Sequence, residues 1–425
     1  MALGRIVFTV ATAGWALFVW LASHRSVSPE YLGRYSREYL TFLGLGLAAL
    51  VGFSWLAFHA TRRPLVLPAT SIAGVAGLLL GSTLVALLAA EGLVRSFDLL
   101  GASFFEEVTR YVLDLEPDRV LVYKHRAGLA TTYQGIAFQT NELGLRERPL
   151  PEPSPDVLRV LVLGDSVTLG WGVRTDETFA ARLEPALEAR LGRPVRTINA
   201  GVSGYNTEQE LAFYRLHAAS LAPDLVVLVY VENDTEVQTG DIVELRHRWE
   251  NPPHASALLL RWSWLYRLLY FVLPDVVGPR PVPTESEGWY RSMRALEELH
   301  RLARSNDAEF VAFLYRMAPD AVTNKSYTEI ERVADQRGFP FFDTLPWFDG
   351  VMIRSVINSY VDSHPNSAGH RILAEGMARA LVTSGALCRA AARNPRHSVV
   401  DGVPIEAGED LEPPCRAPAS RWARE

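Results

Sequence analysis

Lysine is almost missing from this 425-residue chain. Lys124 and Lys325 are the only two, and arginine supplies nearly all the positive charge. No basic block stands out and the formal net charge is −6, so a nucleic-acid partner is not expected. Cysteine is equally scarce: Cys388 and Cys415 both lie near the C-terminus. No metal-ligand spacing surrounds them, which excludes a cysteine-based metal site. The pair fits one disulfide tying down the tail if that region is extracytoplasmic, and equally fits two free thiols. Charged residues make up 21% of the chain and hydrophobic ones 48%, a balance that suits a globular protein carrying a membrane part. The length exceeds one ordinary domain.

Charge is also absent from three long apolar runs at the start, Ile6–Ala22, Leu40–Ala60 and Leu65–Ala90. Each reaches the ~20 residues that a spanning helix needs, the first only just. Arginines sit at their ends (Arg5, Arg25, Arg34, Arg37, Arg62, Arg63, Arg95), where charge costs least. Trp15, Trp20 and Trp55 fall toward the run ends, as interfacial rings do. The first run lacks a small-x-small cleavage site before His24, which favours an uncleaved helix over a signal peptide. Residues 1–95 are therefore expected to be a transmembrane region of three helices. The arginine distribution does not decide its orientation, and leans against an outside location for the residues after Arg95.

Residues 96–155 read as an approach segment with short strands, Val120–Tyr123 and Gly135–Gln139, ending in Pro149, Pro151, Pro153 and Pro155. From there strand and helix alternate. Strands are expected at Val157–Leu163, Val195–Asn199, Leu225–Val231, Phe310–Tyr315 and Phe341–Asp343. Helices are expected at Thr178–Leu191, Thr207–Ala219, Tyr290–Ser305, Ser326–Arg337 and Ser367–Val382. This is the pattern of an α/β domain, 156–385, with a parallel sheet covered on both faces. An insertion over about 235–287 breaks the rhythm. Its apolar stretch His254–Tyr270 reads as a lid, as a helix lying on the bilayer, or as an ordinary covering helix. Residues 386–425 form a C-terminal tail.

Candidate chemistry sits at the strand ends, where open parallel sheets bind ligands. The first strand runs into Gly164-Asp165-Ser166, and a serine hydroxyl there needs a base to become a nucleophile. The second strand leads to Val202-Ser203-Gly204, where a glycine lets backbone N–H approach a substrate. The third leads to Asn233, an amide donor at the same rim. Ser166, Gly204 and Asn233 could together hold an oxyanion. Val361-Asp362-Ser363-His364-Pro365 precedes the last helix and offers His364 as the base. Asp165 and Asp234 read as loop-holding residues, and His217, His300 and His370 as structural ones. Ser203 is a rival nucleophile without a Gly-x-Ser-x-Gly elbow.

These four segments, in this order and on these elements, resemble the four sequence blocks of SGNH/GDSL hydrolases. Thr140-Asn141-Glu142-Leu143-Gly144-Leu145-Arg146 resembles a lead-in of membrane-linked bacterial members. The resemblance covers about 138–382 and implies a three-layer flavodoxin-like fold without metal or cofactor. It implies Ser166 as nucleophile, His364 as base, and Ser166, Gly204 and Asn233 as the oxyanion hole. The family cleaves carboxylic esters. The chain is thus expected to be a membrane-anchored esterase with its domain outside the cytoplasm. Its expected substrate is an acyl ester, acetyl included, on a cell-surface glycan or lipid. The alternatives are an acyltransferase acting on a polysaccharide hydroxyl and a non-catalytic glycan-binding or assembly module. Two positions depart from the family: Val231 stands where a glycine usually begins the third block, and Val361 where the acid usually stands. Asp362, two residues before His364, or a backbone carbonyl would then orient the imidazole.

Overall fold

A computed structural model of the chain describes residues 72–97, 102–235, 259, 263–269, 287–318, 321–359, 362–393, 399–400 and 403–404. The chain forms two compact units, Met1–Thr109 with Glu250–Pro279, and Arg110–Trp249 with Arg280–Glu425.

In the first unit, helix α1 (Ile72–Phe97) takes up most of the third apolar run and extends past it. The other two runs lie outside the described residues. Among the described residues no helix is long and apolar enough to cross a membrane. Leu80, Leu84, Leu87 and Leu88, spaced for one face of α1, are each more than half exposed. Most of His254–Tyr270 also lies outside the described residues. Its described part holds a short helix, Trp264–Arg267, capped by Ser263. Glu91 of α1 receives that cap: its carboxylate accepts from Ser263 Oγ (2.7 Å), Trp264 N (2.8 Å) and Leu265 N (2.9 Å). Two backbone N–H groups at a helix start and the capping hydroxyl thus meet one anion. Val94 and Leu268 pack beside it, with Trp264 and Leu265 against them.

The second unit begins with the last turn of α2 (Ala102–Asp114), a helix where only short strands were expected. Two antiparallel hairpins follow, β1 (Leu115–Asp118) with β2 (Val122–His125), and β3 (Ala130–Tyr133) with β4 (Ile136–Gln139). The main sheet comprises β5 (Leu158–Gly164), β6 (Val195–Asn199), β7 (Leu225–Tyr230), β8 (Glu309–Leu314) and β9 (Phe341–Asp343). All neighbours are parallel, in the order β6-β5-β7-β8-β9. Counted from the first strand this is 2-1-3-4-5, the flavodoxin-like order.

Both faces of the sheet are covered, which is why β5, β7 and β8 are near-continuous apolar runs instead of alternating. Val160, Val162, Val227, Val229, Val311 and Phe313 point to one face. There they meet α4 (Phe179–Leu191), α8 (Ser367–Thr383) and α9 (Ala386–Arg393). The other face is covered by α5 (Thr207–Leu221) and α6 (Glu287–Ser305), which pack on each other. Helix α7 (Ala321–Arg337) packs against α6 and β9. The charged exception in β5 is Arg159. Its guanidinium donates to the carbonyls of Leu221 (2.6 Å) and Pro151 (3.1 Å), so its burial leaves those donors satisfied. Cys388, on α9, is disulfide-bonded, and Cys415 lies outside the described residues.

Candidate active site

The strand order reverses at β5, so the carboxyl ends of β5 and its two neighbours frame the crevice where such sheets bind ligands. Ser166 opens the short helix α3 (Ser166–Leu169) directly after β5. Asp165 caps that helix, its carboxylate accepting from Val167 N at 2.9 Å. Gly204 stands on the loop after β6, and Asn233 in the 3₁₀ turn Glu232–Thr235 after β7. The Asn233 amide bonds to Asp165, beside Ser166. The loop after β6 lies hard against α3. A Cβ on Gly201 would fall 2.2 Å from Leu169 N, so only glycine fits there.

His364 comes from the far end of the domain. Asn366 caps α8 by accepting from Ala368 N (2.9 Å) and Gly369 N (3.2 Å). An isolated antiparallel bridge pairs Ile357 with Pro365. Asn358 N donates to His364 O at 2.9 Å and Asn366 N to Val356 O at 2.9 Å. With its backbone so held, His364 Nε2 lies 2.7 Å from Ser166 Oγ, and Nδ1 lies 2.6 Å from Asp362 Oδ1. A carboxylate only accepts, so Nδ1 carries the proton, Nε2 is the acceptor and the Ser166 hydroxyl donates to it. Asp362 also accepts from the His364 backbone N–H at 3.2 Å. The two-residue spacing therefore closes a tight loop in which acid and imidazole meet directly. Val361 lies outside the described residues.

Electrostatics follow from burial. Burial alone lowers the His364 pKa, but the hydrogen bond and charge of Asp362, with the charge of Asp165, outweigh it and leave it raised. Asp362 is lowered: burial opposes its ionisation, and the His364 bond and charge together with Gln134 overcome that cost. Asp165 is raised, because its burial outweighs the bond from Val167 N, the charge of His364 and the bond from Asn233.

Several residues around the site have no catalytic motif of their own to mark them. Arg146, at the end of the Thr140–Arg146 lead-in, is buried and donates to the carbonyls of Leu169 (3.1 Å), Gly170 (2.6 Å) and Val173 (2.6 Å). It thereby holds the turn that follows Ser166. Buried His125 donates from Nδ1 to Gly144 O (3.0 Å) and accepts at Nε2 from Tyr111 Oη (2.6 Å). Tyr111 Oη in turn accepts from Ser203 N at 3.1 Å, and Tyr123 Oη donates to Ser203 O at 3.2 Å. The approach segment thus grips the loop that carries Gly204 on both sides. Gly144 has φ +78, and a Cβ there would fall 2.6 Å from His125 O. The only sequence signal for this group is the lead-in itself. His370 is structural, its Nδ1 accepting from Phe179 N at 3.1 Å with its ring stacked on Phe179.

A serine hydroxyl bonded to an imidazole, on the switch point of a 2-1-3-4-5 sheet, is an activated nucleophile of the kind that attacks acyl carbons. Residues 162–372 match the model of the GDSL-like Lipase/Acylhydrolase family. No curated protein matches the chain. Among solved structures, TesA is similar at 20% identity, with 52% of this chain and 97% of that one covered and a TM-score of 0.36. LAE5, an alpha/beta hydrolase enzyme from the metagenome of Lake Arreo, Spain, is similar at 20% identity, covering 54% and 96% with a TM-score of 0.37. A catalytic mutant of Axe2, an acetylxylan esterase from Geobacillus stearothermophilus, is similar at 16% identity, covering 53% and 94% with a TM-score of 0.34.

Proposed function

We propose that this protein is a membrane-anchored serine esterase that cleaves an acyl ester of a cell-surface glycan or lipid. The observation that carries the reading is the unbroken chain Ser166 Oγ–His364 Nε2 and His364 Nδ1–Asp362 Oδ1, at 2.7 and 2.6 Å. In the mechanism, Ser166 Oγ attacks the ester carbonyl carbon as its proton passes to Nε2. Asp362 holds the tautomer and stabilises the imidazolium that forms. The Ser166 and Gly204 N–H groups and the Asn233 amide receive the oxyanion. His364 then returns its proton to the departing alcohol, leaving an acyl group on Ser166. Water, deprotonated by the same imidazole, releases the acid and restores the hydroxyl.

Anchoring and an extracytoplasmic domain belong to the same reading. They are supported by the three uncharged runs before Glu91, by the exposed leucines along α1, and by the bonded state of Cys388, since disulfides persist in oxidising compartments.

Full-length protein is expected to hydrolyse 4-nitrophenyl acetate and to be labelled by a fluorophosphonate at Ser166, with Ser166→Ala losing both while remaining folded. Labelling at Ser203 instead would overturn the assignment. For topology, alkaline phosphatase fused after residue 100 should be active and green fluorescent protein at the same place dark. The opposite pair would put the domain in the cytoplasm. Free acid, not an acylated glycan, should accumulate on natural acyl esters.

A further inference from the structure

The β3–β4 hairpin turns through Gln134 and Gly135, at φ +50 and +72. Two consecutive left-handed residues make the turn of a tight two-residue hairpin, in which Asn-Gly is the favoured pair. Glutamine at the first position carries a backbone cost that asparagine and glycine avoid. Its side chain has a partner that neither of those could reach. Gln134 Nε2 donates to Asp362 Oδ2 at 3.0 Å, across 228 residues of sequence.

The surroundings give that contact its meaning. Asp362 Oδ1 is committed to His364, through Nδ1 and the backbone N–H. Oδ2 accepts from two amides, Gln134 and Asn358, the latter at 3.1 Å. Asn358 spends its other hydrogen on Trp171 O at 3.0 Å. The hairpin tip is fixed nearby: the Tyr133 ring stacks on Trp171 at 5.8 Å, and Tyr133 Oη donates to Asp114 Oδ2 at 2.6 Å. We infer that Gln134 is a positioning residue that locks the rotation of the Asp362 carboxylate and so aims His364 at Ser166. This rests on the roles given above to Asp362 and His364.

A carboxylate with both oxygens occupied cannot turn away from Nδ1, and its charge is shared with the donors on Oδ2. Removing Gln134 takes away one donor. The carboxylate loosens, which lowers turnover. The charge left on it is less dispersed, which stabilises the imidazolium and raises the His364 pKa.

The experiment compares full-length parent, Gln134→Asn and Gln134→Gly on 4-nitrophenyl acetate across pH, with melting temperatures measured alongside. Both substitutions suit the left-handed turn and neither reaches Asp362. We expect kcat to fall on the order of tenfold with KM nearly unchanged. The acid limb of kcat/KM should move up by a few tenths of a pH unit. The melting temperature should hold or rise, because the backbone cost is relieved. In an Asp362→Asn background, Gln134→Asn should add no further loss. Parent-like kcat and an unmoved limb would overturn the inference, as would losses that follow a lowered melting temperature or that add fully to Asp362→Asn. A His364→Ala variant as active as the parent would instead remove the assignment of the site, and this inference with it.

Discussion

At the scale of single residues, the position of Asp362 sets the chemistry. The sequence shows an acid two positions before the histidine where the family has one three before, so sequence alone leaves a direct contact with Nδ1 undecided. In the folded chain Asp362 Oδ1 lies 2.6 Å from His364 Nδ1. Activity needs neutral His364, and its pKa is raised, so the acid limb of kcat/KM should lie above the ordinary imidazole value of about 6.5. Asp362→Asn removes the charge and bond that raise it. The limb should then move to lower pH while kcat falls by about 10² to 10³. A limb that stays in place, with kcat within a few-fold of the parent, would leave a working Ser166–His364 dyad. His364→Ala should cost more than Asp362→Asn.

Elements show how a site of loops becomes rigid. Three strand ends deliver Ser166, Gly204 and Asn233 to one edge of the sheet, and the loops that carry them are braced from outside. The turn after Ser166 is bound by Arg146, whose guanidinium reaches three carbonyls in one planar fork. Lysine has a point charge and a single nitrogen, so it cannot reproduce that pattern. Arg146→Lys should lower unfolding stability by about 2–3 kcal/mol and reduce turnover, because buried carbonyls are left without donors. Urea denaturation of parent and variant measures this, and a difference under about 0.5 kcal/mol would show that the turn holds without the fork. The loop carrying Gly204 is gripped in the same way by Tyr111 and Tyr123. The approach segment is therefore part of the site frame.

The whole molecule carries a dependence on acid that no single loop explains. His125 and His370 are fully buried and neutral. Burial is the main cause in both, and their pKa values are depressed to about 4 and about 3. An unfolded histidine takes a proton near pH 6.5, well before these folded ones do. Between that pH and the folded values, the unfolded state binds more protons. Stability is full above the window and is lost as pH falls through it, at about 1.4 kcal/mol per pH unit for each group. Asp362, whose pKa is lowered, adds loss in the same direction at the acid end. Glu210 and Asp234 act oppositely: burial raises both, so their contribution is lost as pH rises. Because the buried acids offset the buried histidines over that range, the test is the difference between proteins: from pH 6.5 to 4.5 the melting temperature of His125→Gln should fall less, or rise more, than that of the parent, whatever the substitution does to stability at neutral pH. An unchanged slope would mean that His125 is protonated in the folded protein.

Sequence alone determined the α/β order of the second unit and the residues most exposed to chemistry. Strands buried on both faces read as near-continuous apolar runs, as β5, β7 and β8 do, and their helices repeat on a longer period, so the alternation of strand and helix was legible. So was Ser166, because Gly-Asp-Ser follows the first such strand. What only the tertiary structure decided was every contact between distant segments. Gln134 meets Asp362, Arg146 meets the turn after Ser166, and Tyr111 with His125 meets Ser203. These polar residues lie in short hairpins and loops with no periodicity to read. Their partners are set by how the approach segment folds over the sheet edge, a geometry that local pattern does not encode. Helix α2 escaped for a related reason. A single short amphipathic stretch next to strand-like segments has no neighbouring repeat to mark it, and its last turn is fixed by the aromatic cluster of Tyr111 with Tyr133, Phe138 and Trp171.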